Sequence, residues 1–373
     1  MKKSEYDFII LGGGCASLSL VFNLINNKIE DLSFLIIEKR EFYTDDRSWC
    51  FWERNCNNYD HLIEKSWEKW KFSRNNNTSY HEVHNYSYHY IRSMNFYRKA
   101  LKLIKKSKNI NINLGETVLE TTIKKHKVYV KTDKTSYFGK EVLDTRPNKD
   151  AFSNKGTLFQ SFLGYELKLN NNNFEVASIM DDMRINKKNF IFDYILPLSK
   201  NLILFETTFF SKRLKSKDFI KKELMRKLKK YDLDNNKIVR EEYGVIPMGF
   251  IKKRNKHKNY FYGGQIGGAI RASSGYGFLR IQDWAFKCAI NLKKNKSFLS
   301  HTKEKRIIKY MDKLFLNLLI DDMSISPKLF FNFIKNISPK LFIKFMNGNT
   351  NYLECIRVIL SMPKRVFIKY LLK

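Results

Sequence analysis

The 373 residues carry 69 Lys and Arg against 37 Asp and Glu, a formal charge of +32, with 43% apolar and 15% aromatic side chains. A chain this long buries a large core as one elaborated domain or two, and its five cysteines, Cys15, Cys50, Cys56, Cys288 and Cys355, are odd in number with no CxxC pair, which argues against a disulfide framework or a zinc site and for a reducing compartment. No uncharged apolar run is long enough to span a bilayer apart from the glycine-broken N-terminal stretch, and the charge alone does not choose between a genome biased towards Lys, Asn and Ile, an anionic membrane surface and nucleic acid.

At the N-terminus, Phe8-Ile9-Ile10-Leu11 breaks into Gly12-Gly13-Gly14-Cys15-Ala16-Ser17; a helix-length segment follows, and Phe34-Leu35-Ile36-Ile37 ends on Glu38. Strand, glycine turn, helix, strand and acid in that order predict a Rossmann βαβ unit that holds the ADP half of FAD or NAD. Gly12 allows the tight turn, and Gly14 lets the backbone approach the pyrophosphate. The helix from about Ala16 directs free N–H groups and its dipole at the phosphates. Glu38 stands where a carboxylate accepts hydrogen bonds from a ribose diol, and Ser17 fills the third glycine position with a small side chain. Met1-Lys2-Lys3 is basic like a secretory leader, but Glu5, Asp7, Asn23, Asn26 and Asn27 break that pattern. A cytoplasmic N-terminal strand is expected.

Arg47-Ser48-Trp49-Cys50-Phe51-Trp52 precedes an Asn- and Tyr-rich polar tract reaching Tyr90. Spacing predicts an amphipathic helix over 92–106 with Phe96, Ala100, Leu103 and Ile104 on one face. A strand over 110–114, a hairpin pairing 128–130 with 136–138, and a short strand over 141–146 follow. Residues 157–210 are β-rich, at 159–169, 190–197 and 202–210, like a substrate-binding sheet inserted into a dinucleotide domain. A basic amphipathic helix covers 212–231. Tyr260-Phe261-Tyr262-Gly263-Gly264 runs into a glycine-rich loop over 267–277 and a helix from about Phe278, and the tail from Lys303 is helical and dense in Phe, Ile and Lys.

The second strand–loop–helix suits the ribityl chain and ring of a flavin whose ADP half sits on the first turn. Gly267 opens the loop, and backbone N–H groups of Ser273-Ser274-Gly275-Tyr276-Gly277 would face the N1/O2 side of the ring; taken alone, the same segment reads as a surface loop. Asp144-Thr145-Arg146 is either a strand end beside the cofactor or a surface turn. Glu206 interrupts the apolar strand Leu202-Ile203-Leu204-Phe205. Buried there, a carboxyl keeps a proton to deliver; at an alternating position it faces water. Asp181 and Asp182 are similar candidates or part of a solvated loop. His89 and His126 are scattered, and no metal site is expected.

Together these residues resemble the bacterial lycopene β-cyclases over nearly the whole chain. Asp7 to Ser17 is similar to that family's opening strand and turn, and Asp46-Arg47-Ser48-Trp49-Cys50-Phe51-Trp52 to its aromatic block. Asp144-Thr145-Arg146, Met180-Asp181, Phe205-Glu206-Thr207-Thr208 and Ser273-Ser274-Gly275-Tyr276 resemble further motifs, and 353–363 its C-terminal helices. Gly263-Gly264 departs from the acid that many FAD enzymes place at the ribityl chain.

The resemblance implies an α/β protein. A discontinuous Rossmann-type FAD-binding domain (1–150 and 240–295) would carry an inserted β-rich substrate region (151–239) and a basic helical C-terminal region (296–373). It implies FAD bound at Gly12, Gly14, Ser17, Glu38, Arg47, Asp144, Gly267, Ser274, Gly275 and Tyr276. The flavin would be active when reduced by NADPH or NADH, with Glu206 as the acid that starts cyclisation of lycopene or other acyclic carotenoids. Because such substrates reside in the bilayer, peripheral attachment to the inner face of the membrane is expected through 330–344 and 366–373. The alternatives are another isoprenoid-acting FAD-dependent reductase or hydroxylase, and a basic tRNA-binding flavoprotein; against the last, the lysines are spread and no RNA-binding motif occurs, so no nucleic acid is expected.

Overall fold

The computed structural model describes residues 4–55, 59–124, 126–148, 150, 156–170, 173–252 and 257–367. Cys56, Met1-Lys2-Lys3 and the end of the tail expected at the membrane (368–373) lie outside the described residues, and the other four cysteines are free. β1 (Glu5–Leu11), α1 (Cys15–Asn26) and β2 (Phe34–Glu38) form the expected βαβ unit. Ile9, Ile10 and Leu11 are fully buried, as a parallel strand covered on both faces requires. The two strands pair in parallel from Phe8 opposite Phe34 to Leu11 opposite Ile37.

The tract up to Tyr90, read as polar, is strand: β3 (Ser48–Arg54), β4 (Lys65–Trp67), β5 (Lys69–Arg74), β6 (Asn77–Glu82) and β7 (Tyr86–Arg92). Its buried members, among them Trp70, Phe72 and Tyr90, are separated by Lys, Ser and Asn, so average polarity hides a half-buried alternation. α2 (Ser93–Lys106) buries Phe96, Ala100 and Ile104. β8 (Ile110–Leu114) joins β2. β9 (Val118–Lys124), β10 (Lys127–Thr132) and β11 (Ser136–Asp144) make an antiparallel meander, and β11 lies parallel to β1.

β12 (Leu158–Lys168), β13 (Ala177–Asn186), β14 (Asn189–Ser199), β15 (Leu202–Ser211) and, after α3 (Lys217–Lys230), β16 (Lys237–Met248) build a second sheet in the order β16-β12-β15-β14-β13-β5-β6. Its edges fall elsewhere than the domain limits expected at 150 and 239. Parallel pairing of Ala177 with Trp70 adds β5 and β6, and the β12–β16 ladder continues to Met248. A third, small sheet, β3-β7-β4, leans on it. β17 (Tyr260–Tyr262) returns to the first sheet beside β11, followed by the short α4 (Gly264–Gly267) and α5 (Phe278–Asn295).

α6 (Arg306–Asp321), α7 (Ser326–Asn336), α8 (Pro339–Met346) and α9 (Tyr352–Ser361) end the described chain. They close one face of the second sheet, where Phe330 stacks on Phe190 at 5.0 Å, while α3 covers the other. The expectation that 330–344 lies on a membrane is corrected here. Phe331, Phe333, Ile334, Phe342 and Ile343 are no more than 7% exposed, because the apolar positions of α7 and α8 fill the space between the sheet and their helical neighbours. Among the described residues, no helix is long and apolar enough to cross a membrane.

Candidate active site

The C-terminal ends of β1, β11 and β17 meet, so both glycine segments open at one edge of the first sheet, the end where such sheets bind ligands. Gly12 turns with φ +90°, and a Cβ there would stand 3.1 Å from Thr145 Oγ1. Gly13 donates its N–H to Glu38 Oε2 at 2.6 Å, and a Cβ on it would overlap the Tyr43 hydroxyl. Gly14 differs: nothing lies within 4 Å of where its Cβ would be, and α1 begins there with no side-chain cap. Open space before an uncapped helix start is what a pyrophosphate needs. The residues present fit the ADP half of FAD.

Glu38 also accepts from the Arg40 N–H at 2.9 Å and its Nε at 3.1 Å. These bonds hold the carboxylate below its ordinary pKa despite burial; with Arg40 Nη2 also 3.4 Å from Oε2, both oxygens already accept within the protein. Ser17 does not merely save space. Its hydroxyl donates to the Gly12 carbonyl and meets Thr145 Oγ1 at 2.7 Å, tying helix, turn and β11 together. Arg47 is half exposed and bonded to Asp46 at 2.8 Å, close enough to Cys15 to act on its thiol electrostatically. Asp144 is at the turn, but its carboxylate is spent inside the protein, accepting from Arg146 and from the Tyr260 hydroxyl at 2.9 Å.

Gly267 packs so tightly against the Tyr262 carbonyl and His301 that a side chain would not fit. Beyond it, the loop is anchored from below. Arg271, 1% exposed, pairs with Asp312 of α6 at 2.9 Å, and Ser273 donates to the same carboxylate at 2.8 Å. Ser274 Oγ stands 3.4 Å from the Tyr276 N–H. Gly275, at φ +71°, lies where a Cβ would touch Ile246 of β16 and Gln160 of β12. The Tyr276 hydroxyl accepts from the Trp52 N–H at 3.2 Å. The loop thus bridges the two large sheets.

On the second sheet, one register row crosses four strands: Glu242 of β16, Gly164 of β12, Glu206 of β15 and Tyr194 of β14. Glu206 therefore points not to water but to the face carrying Leu204 and Phe210, towards the aromatic core with Trp52 and Tyr88. Gly164 supplies the room between the two acids. A Cβ there would stand 3.2 Å from both Glu206 Cβ and Glu242 Cγ. Burial pushes the Glu206 carboxyl well above its usual range, and the charge of Glu242 pushes it further. Burial raises Glu242 too, but Arg240, 2.9 Å away, and the Ser48 hydroxyl, 2.8 and 2.9 Å from its two oxygens, favour its ionised form. Of the two carboxyls, Glu206 is pushed further up.

A charged row backs it: Arg240 Nε bonds Glu166 at 2.7 Å, and Tyr90 and Arg92 of β7 close on the same carboxylate. Sequence reading missed Glu242, Arg240, Glu166 and Gly164. A signal existed in Arg240 and Glu242, two charges at period two ahead of Val245 and Ile246, but their meeting with Glu206 depends on the strand order. Asp181 and Asp182 stay outside this site. They lie in bulged β13, not in a solvated loop: Ser73 donates to Asp181 at 2.8 Å, and buried Lys227 pairs with Asp182 at 2.5 Å beneath α3. Among the described residues no cluster of His, Cys, Asp or Glu suits a metal ion.

A profile of the lycopene cyclase protein family matches residues 7–371. The chain belongs to that family. No curated protein sequence matches it, but solved structures do. Over 99% of this chain and 98% of the other, it is similar to a geranylgeranyl bacteriochlorophyll reductase-like protein from Thermoplasma acidophilum, at 12% identity and a TM-score of 0.64. The flavin-dependent brominase Bmp2 gives 12% identity, 98% and 99% coverage and a TM-score of 0.62. The halogenase PltM in complex with phloroglucinol and FAD gives 12% identity, 91% and 80% coverage and a TM-score of 0.57. At such identities the likeness is one of fold. This lycopene cyclase family member has the Rossmann-type α/β architecture expected from its sequence, with a helical C-terminal region.

Proposed function

We propose that the chain is a lycopene β-cyclase: a flavin-dependent enzyme that closes the ψ-ends of lycopene into β-ionone rings, giving β-carotene by way of γ-carotene with no net redox change. The observation that carries this reading is the buried carboxyl pair Glu206 and Glu242, flanking Gly164 on one register row and set against aromatic rings in a chain of this family. Glu206 gives its proton to the terminal double bond, leaving a tertiary cation on the substrate. The neighbouring alkene attacks that cation to form the ring bond. Loss of a ring proton to the Glu206 carboxylate leaves the β double bond and restores the acid, so one proton enters and one leaves. Glu242 supplies fixed negative charge, and Tyr194, Trp52 and Tyr88 supply ring faces towards a cation.

FAD would be held by Gly12, Gly14, Ser17, Glu38 and Arg47 at its ADP half and by Gly267, Ser274, Gly275 and Tyr276 at its ring, with Asp144 shaping the turn from below. Bound and reduced by NADPH or NADH, it adds negative charge beside the cation. The work would take place at the inner face of a membrane, where acyclic carotenoids reside. The test is expression in bacteria that accumulate lycopene, with chromatography of the pigments. A shift to β-carotene that Glu206→Gln abolishes is expected. Unchanged lycopene with folded, flavin-bearing protein refutes the reading. The likeness to a reductase-like protein of isoprenoid chemistry favours one competitor, an isoprenoid reductase, which would consume NAD(P)H in proportion to product.

A further inference from the structure

α9 has two unlike sides. Cys355 and Val358 are fully buried against the core, whereas Tyr352, Leu353, Ile356, Ile359 and Leu360 are 43–70% exposed. At 3.6 residues per turn these five fall on an arc of roughly 120°. This is a continuous apolar stripe, not scattered surface residues. The helix is built to persist in water: Asn351 and Glu354 form a reciprocal capping box at its start, and Lys344 of α8 pairs with Glu354.

Charge decides what such a stripe meets. From 323 to 367 the chain carries seven Lys and Arg and one acid, Glu354, which Lys344 and the cap already engage. Arg357 borders the stripe, and Lys364 and Arg365 follow the helix; all three are exposed. A second copy would bring the same positive surface against this one. An anionic lipid leaflet instead accepts the apolar residues between its headgroups and pairs its phosphates with the flanking cations.

We propose that α9 is the membrane-docking element, lying in the plane of an anionic lipid surface with Leu353, Ile356 and Leu360 inserted. The inference is independent of which reaction the protein catalyses. Purified full-length protein should sediment with vesicles of phosphatidylcholine containing one-third phosphatidylglycerol, and should be released by high salt. The triple variant Leu353→Ser, Ile356→Ser, Leu360→Ser should bind roughly tenfold more weakly or worse. Leu119→Ser with Ile123→Ser, which changes two exposed apolar residues of β9, should bind like wild type. These positions are on the surface, so all three proteins should melt alike. Wild type that ignores the vesicles, a triple variant that binds normally, or equal loss in the β9 variant would overturn the proposal. So would a wild-type dimer in light scattering that the triple variant dissolves, since that makes the stripe a protein interface.

Discussion

Two neighbours of opposite kind raise the Glu206 pKa: an apolar face that disfavours its charge, and a second carboxylate that repels it. Activity in the proposed reaction needs Glu206 protonated, so it falls as pH rises through the pKa of that group. Glu242→Gln removes the repelling charge and lets Glu206 ionise sooner. The alkaline limb of the pH–rate profile should therefore move to lower pH, by about one unit or more, while Glu206→Gln loses about 10²–10⁴-fold in rate on the plateau below that limb, a gap that narrows above it. Unmoved profiles would remove Glu242 from the site. Stability has its own sign. A carboxyl raised above its ordinary 4.5 stabilises fully below that value and loses its contribution as pH rises through the folded pKa. Wild type should then lose melting temperature relative to Glu206→Gln on going from acid to alkaline pH.

Among the elements, the loop after β17 joins the first sheet to the second, and a buried ion pair anchors it from below. Asp312→Ala leaves the Arg271 guanidinium, 1% exposed, without its carboxylate. The expected cost is about 3–5 kcal/mol in denaturant unfolding, together with a fall in flavin bound per chain. Full stability and full flavin content would show that the loop is held by other contacts. The glycine turn at 12–14 was legible because its geometry is local: six residues and a strand on either side specify it. Arg271 and Asp312 were not legible, being 41 residues apart and joined only by the fold. The same reason explains α7 and α8, whose mixed apolar and basic pattern suits a membrane surface equally well until the second sheet covers it.

Across the whole molecule, the two large sheets bring a dinucleotide edge and a carboxylate row to one junction. Glu206 could be singled out as an acid in an apolar strand. Its partner could not, because the row Glu242–Gly164–Glu206–Tyr194 exists only once β16 pairs with β12 and β12 with β15. The fold class was written in hydrophobic period and glycine position; the site was half written, since composition conveys no strand order. The proposed chemistry makes a prediction that no redox enzyme on this fold shares. Flavin-loaded protein, given a reductant and lycopene in vesicles in deuterated water, should yield a cyclised isomer of lycopene that keeps one solvent deuterium per ring formed, with NAD(P)H consumption far below product. A product gaining two hydrogens with matched NAD(P)H consumption, or lycopene recovered intact from folded flavin-bearing protein, would contradict it.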